Sequence, residues 1–198
     1  MEERSLPKEP FFIFGTARTR STWFANLFTY TGVFCYNEES RYMRHLDEIQ
    51  ERIDARPETI VGFSDPELFH YIEYVYRRFP TAKYILLERD REESINSLAD
   101  ISGATPEQLE PKFKLWDKNI QFAKEKIPHL QTINFNDMDD AKKVHQIWDY
   151  IVPGPLDIGR FNLLSSMVIK GTRGDKPVPP KSNCLAPYFD YGQPIFNP

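Results

Sequence analysis

Two arginines and four hydroxyl side chains are concentrated in residues 15–23, which read Gly-Thr-Ala-Arg-Thr-Arg-Ser-Thr-Trp. Arg18 and Arg20 are the only charged residues from position 11 to position 37, so this part of an acidic chain is locally positive. The segment follows the apolar run 11–14 and leads into a stretch with helical periodicity. A loop that joins a strand to a helix presents unpaired backbone N–H groups and the positive end of the helix dipole to an anion. The pattern therefore predicts a site for a phosphate or sulfate group.

A second basic position follows the apolar run 84–87. Arg89 comes at the end of this run, and Asp90 with Glu93 has the spacing of a capped helix start. Ser97 then lies about two turns into the helix, eight positions after Arg89. We expect Arg89 and Ser97 to converge on one anion, although an ordinary solvated helix start has the same composition.

The first loop disfavours an ordinary ATP or GTP site. Against the Walker pattern G-x-x-x-x-G-K-[ST], the chain keeps Gly15 and Thr22 but has Arg20 in place of the second glycine and Ser21 in place of the lysine. The simplest alternative is a generic anion-binding turn in which Ser21 or Thr22 caps the helix.

Residues 18–23 resemble the 5′-phosphosulfate loop of the sulfotransferases that use 3′-phosphoadenosine 5′-phosphosulfate (PAPS). That loop has a lysine or arginine, a Ser or Thr, usually a glycine, two hydroxyl residues and often a tryptophan. The resemblance implies that Arg18 contacts the bridging oxygen and the sulfuryl group, and that Trp23 lies near the adenine. It also implies three ligands of the 5′-phosphate, which are Thr19, Ser21 and Thr22.

Arg20 is the departure from the family's loop, because it stands where glycine is usual. Its side chain crowds a close approach of the backbone, but its guanidinium also suits a phosphate or an anionic acceptor. Arg89 and Ser97 resemble the family's 3′-phosphate motif in residue type and spacing. Together the two motifs resemble a PAPS-dependent sulfotransferase, which implies adenosine 3′,5′-bisphosphate as the product.

Sulfuryl transfer, like phosphoryl transfer, depends mainly on positioning and on neutralising charge, so we expect no metal. We expect Arg18 to act as an electrostatic clamp, since arginine stays protonated. By comparison with the family, Asp65 is the first candidate for the base that deprotonates the acceptor. Glu38, the first acid after the basic segment, is the second candidate. An aspartate before Pro66 is also an ordinary helix cap, and Glu38 also suits a charged surface.

Short apolar runs alternate with segments of helical periodicity, a pattern typical of an open parallel sheet with helices on both faces. The predicted strands are 11–14, 59–63, 82–87 and 131–135. The predicted helices are 22–31, 66–79, a long helix with apolar positions from 109 to 127 and 144–151. Thr105 and Gln108 form a capping box for the long helix, with Pro111 as an alternative start. The fold class is α/β, a three-layer α/β/α arrangement with a mainly parallel sheet, and the resemblance implies the P-loop-like sulfotransferase fold.

Composition excludes several classes of function. The 198 residues carry 25 Lys and Arg against 29 Asp and Glu, so the net charge of −4 gives no reason to expect nucleic acid or an anionic membrane as a partner. Cys35 and Cys184 are too few for a disulfide framework, and no apolar run approaches the roughly 20 residues that span a bilayer. We expect a cytoplasmic protein of one domain, 1–198, with the proline-rich segment 170–198 packed on it as an irregular tail. The expected partner is a small-molecule or glycan acceptor, and the oligomeric state is left open.

Two other functions remain open from the sequence. One is a divergent P-loop kinase in which Asp65 holds magnesium, which the missing glycine and lysine oppose. The other is a non-catalytic module that binds a nucleotide or sulfate, an interpretation favoured by Arg20 and by the absence of a histidine base. Magnesium dependence would identify the kinase, and binding of the bisphosphate without a sulfated product would identify the module.

Overall fold

The computed structural model describes residues 7–30 and 32–166, and its centre is a five-stranded sheet. The strands are β1 (Glu9–Gly15), β2 (Val33–Asn37), β3 (Ile60–Ser64), β4 (Lys83–Glu88) and β5 (Gln131–Asn134). Their order in the sheet is β2-β3-β1-β4-β5, and every neighbouring pair is parallel. The predicted α/β class with a mainly parallel sheet is therefore confirmed.

Helices cover both faces of the sheet. The helices in the described ranges are α1 (Ser21–Phe28), α2 (Glu48–Ala55), α3 (Ile72–Arg78), α4 (Arg91–Ser102), α5 (Pro106–Lys126), α6 (Ala141–Ile151) and α7 (Ile158–Ser166). Short 3₁₀ turns, Glu39–Tyr42, Leu68–Tyr71 and Phe135–Asp137, follow β2, β3 and β5. Side chains of α1, α6 and α7 pack on one face, and those of α2, α3, α4 and α5 pack on the other. The result is the predicted three-layer arrangement.

Consecutive residues of β1 point to opposite faces of the sheet, as the pleat of a strand requires. Phe11 and Ile13 pack with α1 and α6, whereas Phe12 and Phe14 pack with α3 and α5. None of the four is more than 1% exposed. A strand buried on both faces must be apolar throughout, which is why β1 reads as a continuous run instead of an alternating one.

Gly62 of β3 has no room for a side chain. It pairs in register with Phe11 of the neighbouring strand β1. A Cβ at position 62 would lie 2.1 Å from Cζ of the Phe11 ring. The phenyl ring therefore occupies the space above the glycine.

The chain leaves β1 and β4 in opposite directions. From β1 it runs through α1 to β2 at one edge of the sheet, and from β4 it runs through α4 and α5 to β5 at the other edge. Such a reversal opens a crevice at the carboxyl ends of the two adjacent strands, where open α/β sheets bind their ligands. The loops that follow β1 and β4 both border this crevice.

The four predicted strands are present, with ends that differ by at most two residues from the prediction. The sequence prediction did not include β2. It also placed a helix over 66–79, and this is wrong for the first residues, because a 3₁₀ turn comes first and α3 begins only at Ile72. The helix predicted over 22–31 ends at Phe28, since Tyr30 and Val33 exchange backbone hydrogen bonds in a tight turn that opens β2.

Two predicted helix starts are confirmed by their caps. Thr105 N–H donates to Gln108 Oε1 at 2.8 Å and Gln108 N–H donates to Thr105 Oγ1 at 3.4 Å, which completes the capping box of α5. Pro111 lies inside α5 and does not shift its start. Asp90 Oδ1 accepts from the backbone N–H of Glu93 at 2.9 Å at the start of α4. That cap fixes α4 directly behind the end of β4.

No helix in 7–30 or 32–166 combines the length and the apolar character that crossing a membrane requires. In the same ranges, no group of three or more His, Cys, Asp and Glu side chains is arranged to hold a metal ion. Cys35 is a buried free thiol. Cys184 and the tail predicted over 170–198 lie outside the described residues, so the single domain over 1–198 stays a prediction.

Candidate functional site

The loop after β1 is held by contacts with itself and with β3. Thr19 is fully buried, and its Oγ1 donates a hydrogen bond to the carbonyl oxygen of Thr16 at 2.8 Å. Gly15 makes room for this hydroxyl, because a Cβ at position 15 would lie 2.6 Å from Thr19 Oγ1. Ser64 Oγ, at the end of β3, donates to the carbonyl oxygen of Ser21 at 2.7 Å. These bonds fix the conformation of the loop.

The loop after β1 presents unpaired backbone amide groups at the crevice. Arg18 and Arg20 have φ angles of 70° and 61°, a left-handed conformation that costs a residue with a side chain about 1–3 kcal/mol. The first backbone bond of α1 runs from Phe24 N–H to the Arg20 carbonyl at 3.2 Å. The amides of Ser21 and Thr22 therefore have no acceptor within the helix, and they lie at the positive end of its dipole. This is the geometry that binds an oxyanion.

Three of the predicted ligands form one connected group that links the two loops. Arg18 Nε donates to Ser97 Oγ of α4 at 3.2 Å. Arg89 Nη1 donates to the carbonyl oxygen of Arg18 at 3.0 Å, and its Nε lies 3.3 Å from Glu93 Oε2. The structure therefore brings Arg18, Arg89 and Ser97 to one place at the crevice.

The electrostatics of this group favour an anion. Burial, and after it the charge of Arg89, lowers the pKa of Arg18 from its usual value, whereas Glu38 acts in the opposite direction. An arginine cannot relieve such repulsion by losing its proton at neutral pH. A negatively charged ligand between Arg18 and Arg89 would relieve it.

Arg20 is held by an ion pair outside this group. Its guanidinium donates to both carboxylate oxygens of Asp139, at 2.7 and 3.3 Å. It also lies 4.7 Å from the ring centroid of Phe135, and the guanidinium of Arg89 lies 4.3 Å from the same centroid. Phe135 thus supports one arginine from each loop through cation–π contacts.

Trp23 lies in the hydrophobic core between α1 and α7. It is 3% exposed, and its ring meets Phe24 and Phe161 edge to face at centroid distances of 5.0 and 6.0 Å. Its Nε1 is buried and has no hydrogen-bond partner among the described residues. The contact of Trp23 with an adenine therefore stays a prediction, and the ring's observed neighbours are other aromatic side chains.

Glu38 follows β2 and keeps 27% of its side chain exposed. Its Oε2 lies 2.5 Å from Nη2 of Arg41, and its backbone N–H donates to the Ser64 carbonyl at 3.1 Å. Burial raises the pKa of Glu38 above the usual glutamate value, and the carboxylates of Asp65 and Glu67 act in the same direction, whereas the guanidinium groups of Arg41 and Arg18 act against it. A carboxylate with a raised pKa that stays accessible at a crevice is suited to accept a proton.

Asp65 has a different environment. It is fully buried, and burial raises its pKa against the effect of the backbone amides that it binds. Oδ1 accepts from the amides of Glu67 and Leu68 at 2.8 and 3.2 Å, and Oδ2 accepts from the amide of Ser40 at 2.8 Å. Asp65 therefore caps the turn after β3 and ties it to the turn after β2, which is the helix-cap alternative considered from the sequence.

The residues that sequence reasoning missed are those that buttress the arginines. Asp139 pairs with Arg20 across 119 positions, and no sequence pattern links them. Phe135 was predicted as the end of a strand, with no role at the site. The strand β2, which places Glu38, does have a signal, because Val33–Asn37 is a short apolar run directly after Gly32.

No protein-family profile matches the sequence, and no curated protein matches it. Solved structures do match. One is the sulfotransferase domain from the curacin biosynthetic pathway, with a TM-score of 0.53 and 15% identity, covering 85% of this chain and 80% of that domain. Another is the sulfotransferase domain of the Synechococcus PCC 7002 olefin synthase, with a TM-score of 0.52 and 14% identity, covering 87% of this chain and 93% of that domain. What these proteins share at such low identity is their architecture, and by that measure the chain has the sulfotransferase fold.

Proposed function

We propose that the chain is a PAPS-dependent sulfotransferase, which transfers the sulfuryl group to a hydroxyl or amine of a small-molecule or glycan acceptor. The observation that carries the proposal is the connected group of Arg18, Ser97 and Arg89 at the crevice. These residues belong to the two sequence motifs that resemble the family's 5′-phosphosulfate and 3′-phosphate motifs. The sulfotransferase fold supports the same assignment. The cytoplasmic location stays a prediction from the sequence.

The donors at the crevice fit a nucleotide that carries two phosphate-type groups. Arg89 and Ser97 would hold the 3′-phosphate, and the free amides and hydroxyls of Ser21 and Thr22 would hold the 5′-phosphate. Thr16 Oγ1, in the same loop, is buried without a hydrogen-bond partner among the described residues. An unused polar atom in the loop that carries Arg18 is consistent with a site whose ligand completes the hydrogen bonding.

Two side chains of this chain would perform the chemistry. The bound nucleotide supplies a sulfuryl group that is already electrophilic, so the protein must position the acceptor and neutralise charge. Arg18 would stabilise the negative charge that develops on the leaving phosphate oxygen. Glu38 would take the proton from the acceptor hydroxyl or amine. We favour Glu38 over Asp65 as the base because Asp65 is fully buried and both of its oxygens already accept backbone hydrogen bonds.

The kinase alternative is weakened by the same contacts. It assigned magnesium to Asp65, but the three amides that bind this carboxylate leave it buried within the protein. The binding-module alternative assigns the same ligand to the same site and differs only in that no sulfuryl transfer follows. Only a measurement of sulfated product separates it from the proposal.

The first test is a calorimetric titration with adenosine 3′,5′-bisphosphate, with adenosine 5′-phosphate and ATP plus magnesium as parallel ligands. We expect tight binding that needs the 3′-phosphate and is indifferent to magnesium. Formation of a sulfated product from PAPS in an acceptor screen would then exclude the binding module. Binding of ATP with magnesium alone, or of none of the three ligands, would refute the proposed function.

Arg89→Ala isolates the 3′-phosphate contact. Loss of a charge-assisted hydrogen bond should reduce the preference for the bisphosphate over adenosine 5′-phosphate by roughly tenfold or more. Arg91→Ala is the matched control, because Arg91 lies two positions further along, at the start of α4, and pairs with Glu110 and Asp117 of α5, at 2.9 and 3.0 Å. If Arg89→Ala prefers the bisphosphate over adenosine 5′-phosphate as strongly as Arg91→Ala does, Arg89 does not bind the 3′-phosphate.

A further inference from the structure

A cleft of about 350 Å³ lies between the turn after β2 and the turn after β3. Its volume is near the lower end of the roughly 300–1,000 Å³ that small-molecule sites occupy. Arg41 is one of the residues that line the cleft, and its guanidinium pairs with Glu38 at 2.5 Å. The cleft therefore begins one side chain away from the carboxylate proposed as the base.

The one carboxylate among the described lining residues is already neutralised. Glu67 Oε1 lies 2.7 Å from Lys112 Nζ, and Glu67 Oε2 lies 3.5 Å from Nε2 of His70. The hydrogen bonds from His70 and Lys112 lower the pKa of Glu67 to about 2, against the effect of burial. Glu67 is therefore ionised and paired, so it adds little negative potential to the cleft.

Arg44 is the positive charge of the cleft that lacks a counter-ion. It is exposed at the cleft wall, and its guanidinium forms no ion pair with a residue of 7–30 or 32–166. The nearby acid Glu48 accepts from the backbone N–H of Arg44 at 2.9 Å, and its other oxygen lies 3.8 Å from Arg52. A guanidinium in this position is a ready partner for a planar oxyanion, which it can bind through two parallel hydrogen bonds.

Other parts of the wall are apolar. Met43 and Leu46 are partly buried and pack against the core, and Tyr71 is 53% exposed. Methionine adapts to irregular ligands, and an exposed tyrosine offers an aromatic face. The cleft thus combines one unpaired cation with a surface for a carbon skeleton.

We propose, on the basis of the sulfotransferase function, that this cleft binds the acceptor and that the acceptor carries a carboxylate. The carboxylate pairs with Arg44, the carbon skeleton lies against Met43, Leu46 and Tyr71, and the hydroxyl or amine reaches Glu38. A carboxylate matches the single unpaired charge of Arg44, whereas a phosphate monoester carries about −1.5 to −2 at neutral pH.

The test compares acids with their neutral amides as probes. The pairs are 4-hydroxyphenylacetate with 4-hydroxyphenylacetamide, and 6-hydroxyhexanoate with 6-hydroxyhexanamide. Binding is measured by calorimetry on the whole protein, both alone and saturated with adenosine 3′,5′-bisphosphate, and sulfation from PAPS is measured with the same probes. Arg44→Gln removes the charge, and Arg77→Gln is the matched control because Arg77 is exposed on α3 and pairs with Glu73, outside the cleft.

We expect at least one acid to bind roughly tenfold more tightly than its amide, as a charge-assisted contact predicts. Arg44→Gln should abolish this difference by weakening the acid alone, and Arg77→Gln should preserve it. Equal affinities of acid and amide in both pairs, or no binding of either acid at millimolar concentration, would overturn the inference. Because probe binding is also measured without nucleotide, it does not depend on the bisphosphate titration that tests the proposed function.

Discussion

The two halves of the crevice edge carry opposite charges. The loops after β1 and β4 bring together Arg18 and Arg89, whereas the loops after β2 and β3 bring together Glu38 and Asp65. In each half, burial and a neighbour of like charge disfavour the charged state. Arginine keeps its proton at neutral pH, so the repulsion between Arg18 and Arg89 persists, while the carboxyl groups of Glu38 and Asp65 respond through a raised pKa. One half is therefore suited to bind an anion, and the other is suited to exchange a proton.

A second difference separates the two carboxyl groups. Asp65 is saturated by three backbone amides and holds two turns together. Glu38 has one arginine as its ion-pair partner and retains exposed surface. Proximity alone does not make a carboxylate a base, because hydrogen bonds that build the fold also occupy the lone pairs that would accept a proton.

The largest effect should come from Glu38→Gln. Removing a general base typically costs 10²–10⁴-fold, so we expect kcat to fall about 10³-fold. In the parent protein the rate should rise with pH as Glu38 loses its proton, around a pKa above the usual glutamate value, and this limb of the profile should disappear in the variant. Glu51→Gln, an exposed position on α2, is the control for the change in charge. A normal rate in Glu38→Gln would show that another group accepts the proton of the acceptor.

Asp65→Asn should affect stability more than turnover. Asparagine places an N–H donor or a single acceptor where two oxygens now accept from three amides, and one poorly satisfied buried group costs about 1–3 kcal/mol. A loss of this size lowers Tm by a few degrees for each kcal/mol in a chain of this length. Urea unfolding measures the loss, and activity is compared per folded molecule. A collapse of activity with unchanged stability would reverse the assignment of Glu38 and Asp65.

The smallest effect should come from Arg20→Gly. Glycine relieves a left-handed φ that costs other residues about 1–3 kcal/mol. This offsets the loss of a half-exposed ion pair worth about 0–1 kcal/mol and of the cation–π contact with Phe135, worth about 0.5–1 kcal/mol. We therefore expect stability to change by less than about 1 kcal/mol. Because Asp139 already holds the guanidinium of Arg20, affinity for adenosine 3′,5′-bisphosphate should change by less than about threefold, which is under about 1 kcal/mol.

Arg20→Ala completes this test, because it removes the same side chain but keeps the strained backbone. The difference in unfolding free energy between the two variants reports the native-state strain, reduced by the larger unfolded-state entropy of glycine. A tenfold loss of bisphosphate affinity in both variants would instead make Arg20 a third member of the positive half.

The positive half of the site could be predicted largely from the sequence because each of its two motifs is local, although the bonds that join them span 71 and 79 positions. Arg18 lies next to the start of α1, and Arg89 and Ser97 lie within one capped segment around the start of α4. Within such a segment, the backbone conformation leaves each side chain few directions in which it can point. The apolar runs likewise predict buried strands, since both faces of this sheet are covered.

The negative half could not be resolved from the sequence because no motif in it indicates which of the two carboxyl groups is accessible. Whether Asp65 or Glu38 is accessible depends on how the turns after β2 and β3 pack, and the bond from Ser40 to Asp65 spans 25 positions. The environment of Trp23 depends in the same way on Phe161 of α7. Contacts of this kind leave no periodic signal in the chain.

The glycine at position 62 and the phenyl ring at position 11 share a single volume, so the two positions should vary together in any protein that descends from the same ancestor. A methyl group at position 62 fits only if the ring at position 11 becomes smaller. A laboratory Gly62→Ala variant should then be rescued by a Phe11→Leu change that is itself unfavourable. A sequence search that weighs each position separately would miss this covariation, whereas one that scores pairs of positions could use it to find distant relatives.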